Sequence, residues 1–122
     1  MVKISEGKLK GLQAVADERG VIRAAAMDQR GSLIKSLAKE KNITAEEVSD
    51  DMLSEFKSSV IKVLSPFASG VLLDPEYGLP ASKSRQEGVG LLLAYEKSGY
   101  DNTQPGRIPQ LLPDWTARRL KE

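Results

Sequence analysis

Apolar positions along the chain recur with two different periods. Leu9, Leu12 and Val15 stand three apart and Gly20 follows as a stop, which predicts a helix over 5–17. The run Val21-Ile22-Arg23-Ala24-Ala25-Ala26-Met27 is short and mostly apolar. By period alone it fits helix or strand; Gly20 before it and Asp28-Gln29-Arg30-Gly31 after it favour a strand. Residues 32–38 read as a short helix. Thr44-Ala45-Glu46-Glu47 has the form of a capping box, with Thr44 as N-cap and Glu47 three residues on. From there Val48, Met52, Phe56, Val60 and Leu64 recur at i+4, widened by Leu53, Ile61 and Val63. That stripe predicts a long helix with this face as core. Pro66 ends it, because proline lacks an amide donor and disfavours helix in the residue before it.

Gly70-Val71-Leu72-Leu73 is a second apolar strand, stopped by Asp74-Pro75, and Val89-Gly90-Leu91-Leu92-Leu93-Ala94-Tyr95 is a third. None of the three alternates polar with apolar, which predicts strands buried on both faces of a parallel sheet wrapped by helices. Residues 97–110 are rich in Gly, Pro and Asn and read as a loop. A last helix starts near Pro113-Asp114-Trp115 and reaches Glu122 in mid-pattern, without a stop signal. The order helix, strand, helix, strand, loop, strand, helix predicts the opening of an α/β domain. A complete (β/α)8 barrel takes about 250 residues, and this chain has 122. The expected fold is therefore the N-terminal portion of a TIM (β/α)8 barrel: strands one to three with flanking helices, as a single incomplete domain over 1–122. Its open strand edges predict that the isolated chain aggregates or pairs with a complementing segment, with a homo-oligomer as the alternative assembly.

Composition narrows the chemistry. The chain has neither Cys nor His, which removes thiolate and imidazole metal sites, CxxC redox chemistry and Ser-His-Asp triads. With 18 basic and 17 acidic side chains it has no electrostatic footprint for nucleic acid. The uncharged run from Val63 to Leu73 falls well short of the roughly 20 apolar residues of a membrane span. The N-terminus lacks a signal-peptide core. A cytoplasmic protein without a membrane partner is expected.

Active sites of (β/α)8 barrels lie at the C-terminal ends of the strands. That rule selects Asp28-Gln29-Arg30, Asp74-Pro75-Glu76-Tyr77-Gly78 and Glu96-Lys97. Asp28 is the leading candidate: a carboxylate there can bind a substrate hydroxyl or help a proton move. It could equally cap the helix that follows. Gln29 offers a donor and an acceptor to a sugar hydroxyl. Arg30 could grip a phosphate or pair with a neighbouring acid. Asp74 could act with Asp28 as a pair of acids with separated ionisation, or pair with Arg30. Trp115 is assigned to packing. Arg118, Arg119 and Lys121 form a small basic cluster that complements a helix C-terminus. A Schiff-base lysine must reach its carbonyl unprotonated, from an apolar strand facing the mouth, and no lysine here stands in such a strand. Lys62 is on the capped helix, Lys97 follows strand three, and the others lie in helices, polar loops or tails.

Three stretches carry a family resemblance: Ala-Met-Asp-Gln-Arg-Gly (26–31), Leu-Leu-Asp-Pro-Glu-Tyr-Gly-Leu-Pro-Ala (72–81) and Gly-Leu-Leu-Leu-Ala-Tyr-Glu-Lys-Ser-Gly-Tyr-Asp (90–101). Together they resemble class I tagatose 1,6-diphosphate aldolases from about residue 20 onward. The resemblance implies a barrel that cleaves a sugar bisphosphate, tagatose 1,6-bisphosphate, to dihydroxyacetone phosphate and glyceraldehyde 3-phosphate. It implies no metal or other cofactor, the electron sink being the imine of a lysine on a later strand. A glutamate on another later strand serves proton transfer, and both lie beyond Glu122 in the family pattern. Asp28 matches a pocket aspartate facing the substrate hydroxyls near the cleaved bond, and Gln29 a neighbouring pocket residue. Met27 stands where the family pattern has Phe, a swap that cores tolerate. Two other readings are an aldolase for a sulfonated sugar phosphate and a noncatalytic barrel fragment.

Overall fold

Three short strands, β1 (Ala24–Met27), β2 (Gly70–Leu73) and β3 (Gly90–Leu93), pair in parallel in the order β1-β2-β3 in the computed structural model. The structure describes residues 3–99, 103, 105–106 and 108–121. Within the loop expected over 97–110, residues 100–102, 104 and 107 lie outside the described residues, as does Glu122 in the expected last helix. Met27, Leu73 and Leu93 are in register, so all three strands end at one level. The residues that follow therefore share one rim.

Helix α1 (Glu6–Val15) precedes the sheet; α2 (Gly31–Lys41) and α3 (Asp50–Leu64) join β1 to β2; α4 (Leu79–Ser82) joins β2 to β3; α5 (Ala117–Lys121) ends the described chain. The C-terminal end of α1 crosses the foot of the sheet. Gly90 is required there, because a Cβ would collide with the Ala14 carbonyl oxygen. Strand β1 starts later than expected, with Val21 and Ile22 exposed. The chain ahead of it is held in a turn: the Asp17 carboxylate accepts from the amides of Arg19 (2.9 Å) and Val21 (3.0 Å). The Val21 amide, helped by Arg19, holds the Asp17 carboxyl below its usual value.

The capping box forms, but it does not start the long helix. The Thr44 amide donates to Glu47 Oε2 at 2.7 Å, and this bond keeps the Glu47 carboxyl low. The box closes only a single 3-10 turn, Ala45–Glu47. The backbone then extends at Val48, which buries its side chain beside Leu37, Ala38 and Leu53. Helix α3 restarts with Ser49 as N-cap, its Oγ accepting from the Met52 amide at 3.2 Å.

The core face of α3 also differs from the expected stripe. Of that stripe Leu53 and Ile61 are buried and Met52 and Val60 half-buried, but Phe56 and Leu64 are 39% and 44% exposed, and the buried row is completed by Lys57. The buried set is spaced i+4, but a lysine at its centre disguises it. Ile61 packs with Val71, Leu73 and Ala81, joined by Ala25, Met27, Leu91 and Leu93 from the sheet. The opposite sheet face is more open, with Ala26 exposed and Leu72 and Leu92 half-buried. The strands are thus apolar on both faces but covered on one, because α3 and α4 both pack against the Val71 and Leu73 side. None of the described helices is long and apolar enough to cross a membrane.

Candidate active site at the strand ends

Directly past β1, Asp28 lines an open cavity of about 490 Å³, together with Arg30, Tyr95, Glu96, Lys97 and Leu111. The far wall forms because the chain after β3 returns antiparallel. The Lys97 amide donates to the Gln110 carbonyl and the Leu112 amide to the Tyr95 carbonyl, each at 2.7 Å. Asp28 is half-buried and has no hydrogen-bond or ion-pair partner among the described residues. The capping alternative is excluded: the N-cap of α2 is Arg30, and no side chain bonds there. Asp28 thus presents an unsatisfied carboxylate to the cavity.

Arg30 is 7% exposed and spans the rim. Its Nη2 donates to the Glu96 carbonyl at 2.9 Å, tying the end of β1 to the chain beyond β3. Its Nε lies 4.0 Å from Asp74 Oδ2, and its Nη1 lies 3.6 Å from Glu76 Oε1. Nη1 is buried and makes no hydrogen bond. The side chain is therefore engaged with two acids and one carbonyl, and its Nη1 is enclosed beside Glu76 rather than open to the cavity.

Asp74 is fully buried. Its Oδ2 accepts from the Tyr77 amide at 2.7 Å, and its Oδ1 pairs with Lys57. The turn that wraps it needs Gly78, where a Cβ would stand 2.5 Å from the Asp74 carbonyl oxygen. Asp74 lies behind Arg30 rather than on the cavity wall. Gln29 is exposed and lines a separate depression with Met27, Ser32 and Phe56, so the structure does not bring its side chain into the Asp28 cavity. Tyr77 follows in the same turn. Burial first, then the charges of Asp50, Glu76 and Asp74, raise its hydroxyl above the ordinary phenol value.

The residue that sequence reasoning missed is Lys57. It is fully buried, and its Nζ donates to the Met27 carbonyl (2.9 Å), the Gln29 carbonyl (2.8 Å) and Asp74 Oδ1. All three ammonium protons are used. Such an amine is a structural cation rather than a nucleophile. Its spacing to Leu53 and Ile61 was the available signal, together with the need of a strand-end Asp74 for a cation if buried. Trp115, assigned to packing, is half-buried with the Arg119 guanidinium 4.3 Å over its ring.

A parallel α/β sheet with a polar cavity at the C-terminal ends of its strands defines the class of site found in α/β enzymes. The chain belongs to the DeoC/LacD family of aldolases, whose pattern matches residues 22–122. It is 51% identical over 122 residues to tagatose 1,6-diphosphate aldolase 1 of Enterococcus faecalis, covering all of this chain and 36% of that protein. A tagatose 1,6-diphosphate aldolase of Listeria monocytogenes serotype 4a is 50% identical over the whole chain, which covers 35% of it. Tagatose 1,6-diphosphate aldolase 2 of Streptococcus pyogenes serotype M3 is 47% identical over 121 residues, 99% of this chain and 36% of that protein. The chain thus spans about a third of the length of these curated relatives.

Proposed function

We propose that these residues supply the first three strands, and the corresponding part of the mouth, of a (β/α)8 barrel that cleaves tagatose 1,6-bisphosphate to dihydroxyacetone phosphate and glyceraldehyde 3-phosphate. The observation that carries the reading is the unpartnered Asp28 carboxylate on the cavity at the end of β1. Family membership and the names of relatives near 50% identity support the substrate. The barrel is supported by the more open sheet face and by the edge positions of β1 and β3, which further strands would extend.

In this reading a lysine outside these strands condenses with the substrate ketone and releases water. The protonated imine accepts the electron pair of the C3–C4 bond as that bond breaks. The C4 hydroxyl loses its proton and becomes the aldehyde of glyceraldehyde 3-phosphate. Protonation of the remaining enamine and hydrolysis release dihydroxyacetone phosphate. Asp28 accepts a hydrogen bond from a hydroxyl beside the cleaved bond and eases the proton's departure. Arg30, held from behind by Asp74, contributes positive charge at the cavity wall for a substrate phosphate or hydroxyl oxygen. Gln29 provides a polar group on the neighbouring side of the rim. The imine serves as electron sink, so the reading requires no cofactor. A cytoplasmic setting and a homo-oligomeric assembly belong to the same proposal.

The test is a chimera in which these 122 residues replace the matching stretch of the Enterococcus faecalis enzyme. The expected result is release of triose phosphates from tagatose 1,6-bisphosphate. A folded chimera that leaves that sugar intact, or cleaves only a sulfonated sugar phosphate, overturns the proposal.

A further inference from the structure

We infer that Lys57 is a positioning residue for Asp28, acting from beneath the rim through the backbone on either side of it. The inference rests on the reading of Asp28 given above. Lys57 reaches from the sheet-facing side of α3, between Leu53 and Ile61, and is completely enclosed. The two carbonyls it holds, those of Met27 and Gln29, flank Asp28 in the chain. Fixing both peptide groups restricts the backbone at Asp28 and Gln29, in a segment that has already left the sheet. Asp28 is thereby kept on the cavity without any bond to its own carboxylate.

Stability alone does not account for this arrangement. A buried ion pair can often be replaced by apolar side chains without loss, because desolvation offsets the attraction. Here Asp74 is spent inside the protein to hold the ammonium, and the ammonium is spent on two loop carbonyls. Arg30 anchors the other side of the same loop through the Glu96 carbonyl. The result is a strand-end loop tied at both ends of its first turn, with one free carboxylate between the ties. Reacting groups need such restraint, since a misplacement of about 1 Å can cost on the order of 10²-fold in rate.

The experiment is a double-mutant cycle in the active chimera. The pair Lys57→Met with Asp74→Asn removes both buried charges together, while Asn keeps an acceptor for the Tyr77 amide. Its effect is read against Asp74→Asn alone, in the Asp28 and in the Asp28→Asn background. The expected result is a fall in kcat of roughly 10- to 100-fold with KM little changed, and a fall of less than about 2-fold once Asp28 is Asn. Lys57→Arg, which retains charge and donors, serves the same cycle if the neutral pair does not fold. Equal losses in both backgrounds assign Lys57 a purely structural role and overturn the inference, as does an unchanged kcat. An Asp28→Asn protein with full activity is a separate outcome: it refutes the reading of Asp28 itself, and the inference with it.

Discussion

Replacing Asp28 by Asn in the chimera is expected to lower kcat/KM by about 10²–10⁴-fold, while shifting folding stability by less than about 0.5 kcal/mol. The two halves of this expectation have one origin. Asp28 bonds to none of the described residues, so no folded-state contact is lost on substitution. It lines the cavity, so what is lost is its action on a bound sugar. Asn has nearly the same shape and can still accept a hydrogen bond, but it brings no negative charge to a departing proton. Steady-state cleavage and a urea denaturation curve on the same preparation give both numbers. A large stability change with retained turnover would make Asp28 a structural residue.

The largest stability effect is expected from Lys57→Met as a single change, a loss of about 3–5 kcal/mol. Methionine fits the space left by the aliphatic stem, so cavity formation contributes little. The cost comes from Asp74, which would stay fully enclosed with its charge opposed only by Arg30 at 4.0 Å. The Met27 and Gln29 carbonyls also lose their donor. Adding Asp74→Asn should recover part of the loss, because the amide carries no charge to strand. Urea midpoints of the single and double variants check this. A single-variant loss below about 1 kcal/mol would mean that water reaches Asp74 and that the pair does not organise the rim.

Much of this arrangement was legible in the sequence. The mostly apolar runs at 21–27, 70–73 and 89–95 read as parallel strands from the Gly and acidic residues that punctuate them, and the strands form within them at 24–27, 70–73 and 90–93. The shared level of Asp28 and Asp74 followed from the rule that sites gather where such strands end. The reading of α3 held only in part: Leu53 and Ile61 are buried as expected, but Phe56, Val63 and Leu64 are exposed. An apolar stripe at i+4 is visible only when every member is apolar, and Lys57 breaks the true one. In the more conspicuous row Phe56 and Leu64 are exposed, while Met52 and Val60 are half-buried. The capping box misled for a related reason: its hydrogen bonds are local, whereas the helix start was set by the burial of Val48. Gln29 shows the limit of proximity in sequence, because adjacent residues past a strand point to different cavities.

The most direct test of the central claim is reductive trapping of the active chimera with dihydroxyacetone phosphate and borohydride, followed by peptide mapping. Reduction converts the imine to a stable secondary amine on the reacting lysine. The account predicts a single modified lysine outside the stretch contributed by this chain, with Lys57 unmodified because its three protons are engaged within the fold. An adduct on Lys57 or any other lysine of these 122 residues, or an active enzyme that traps no adduct, would contradict it.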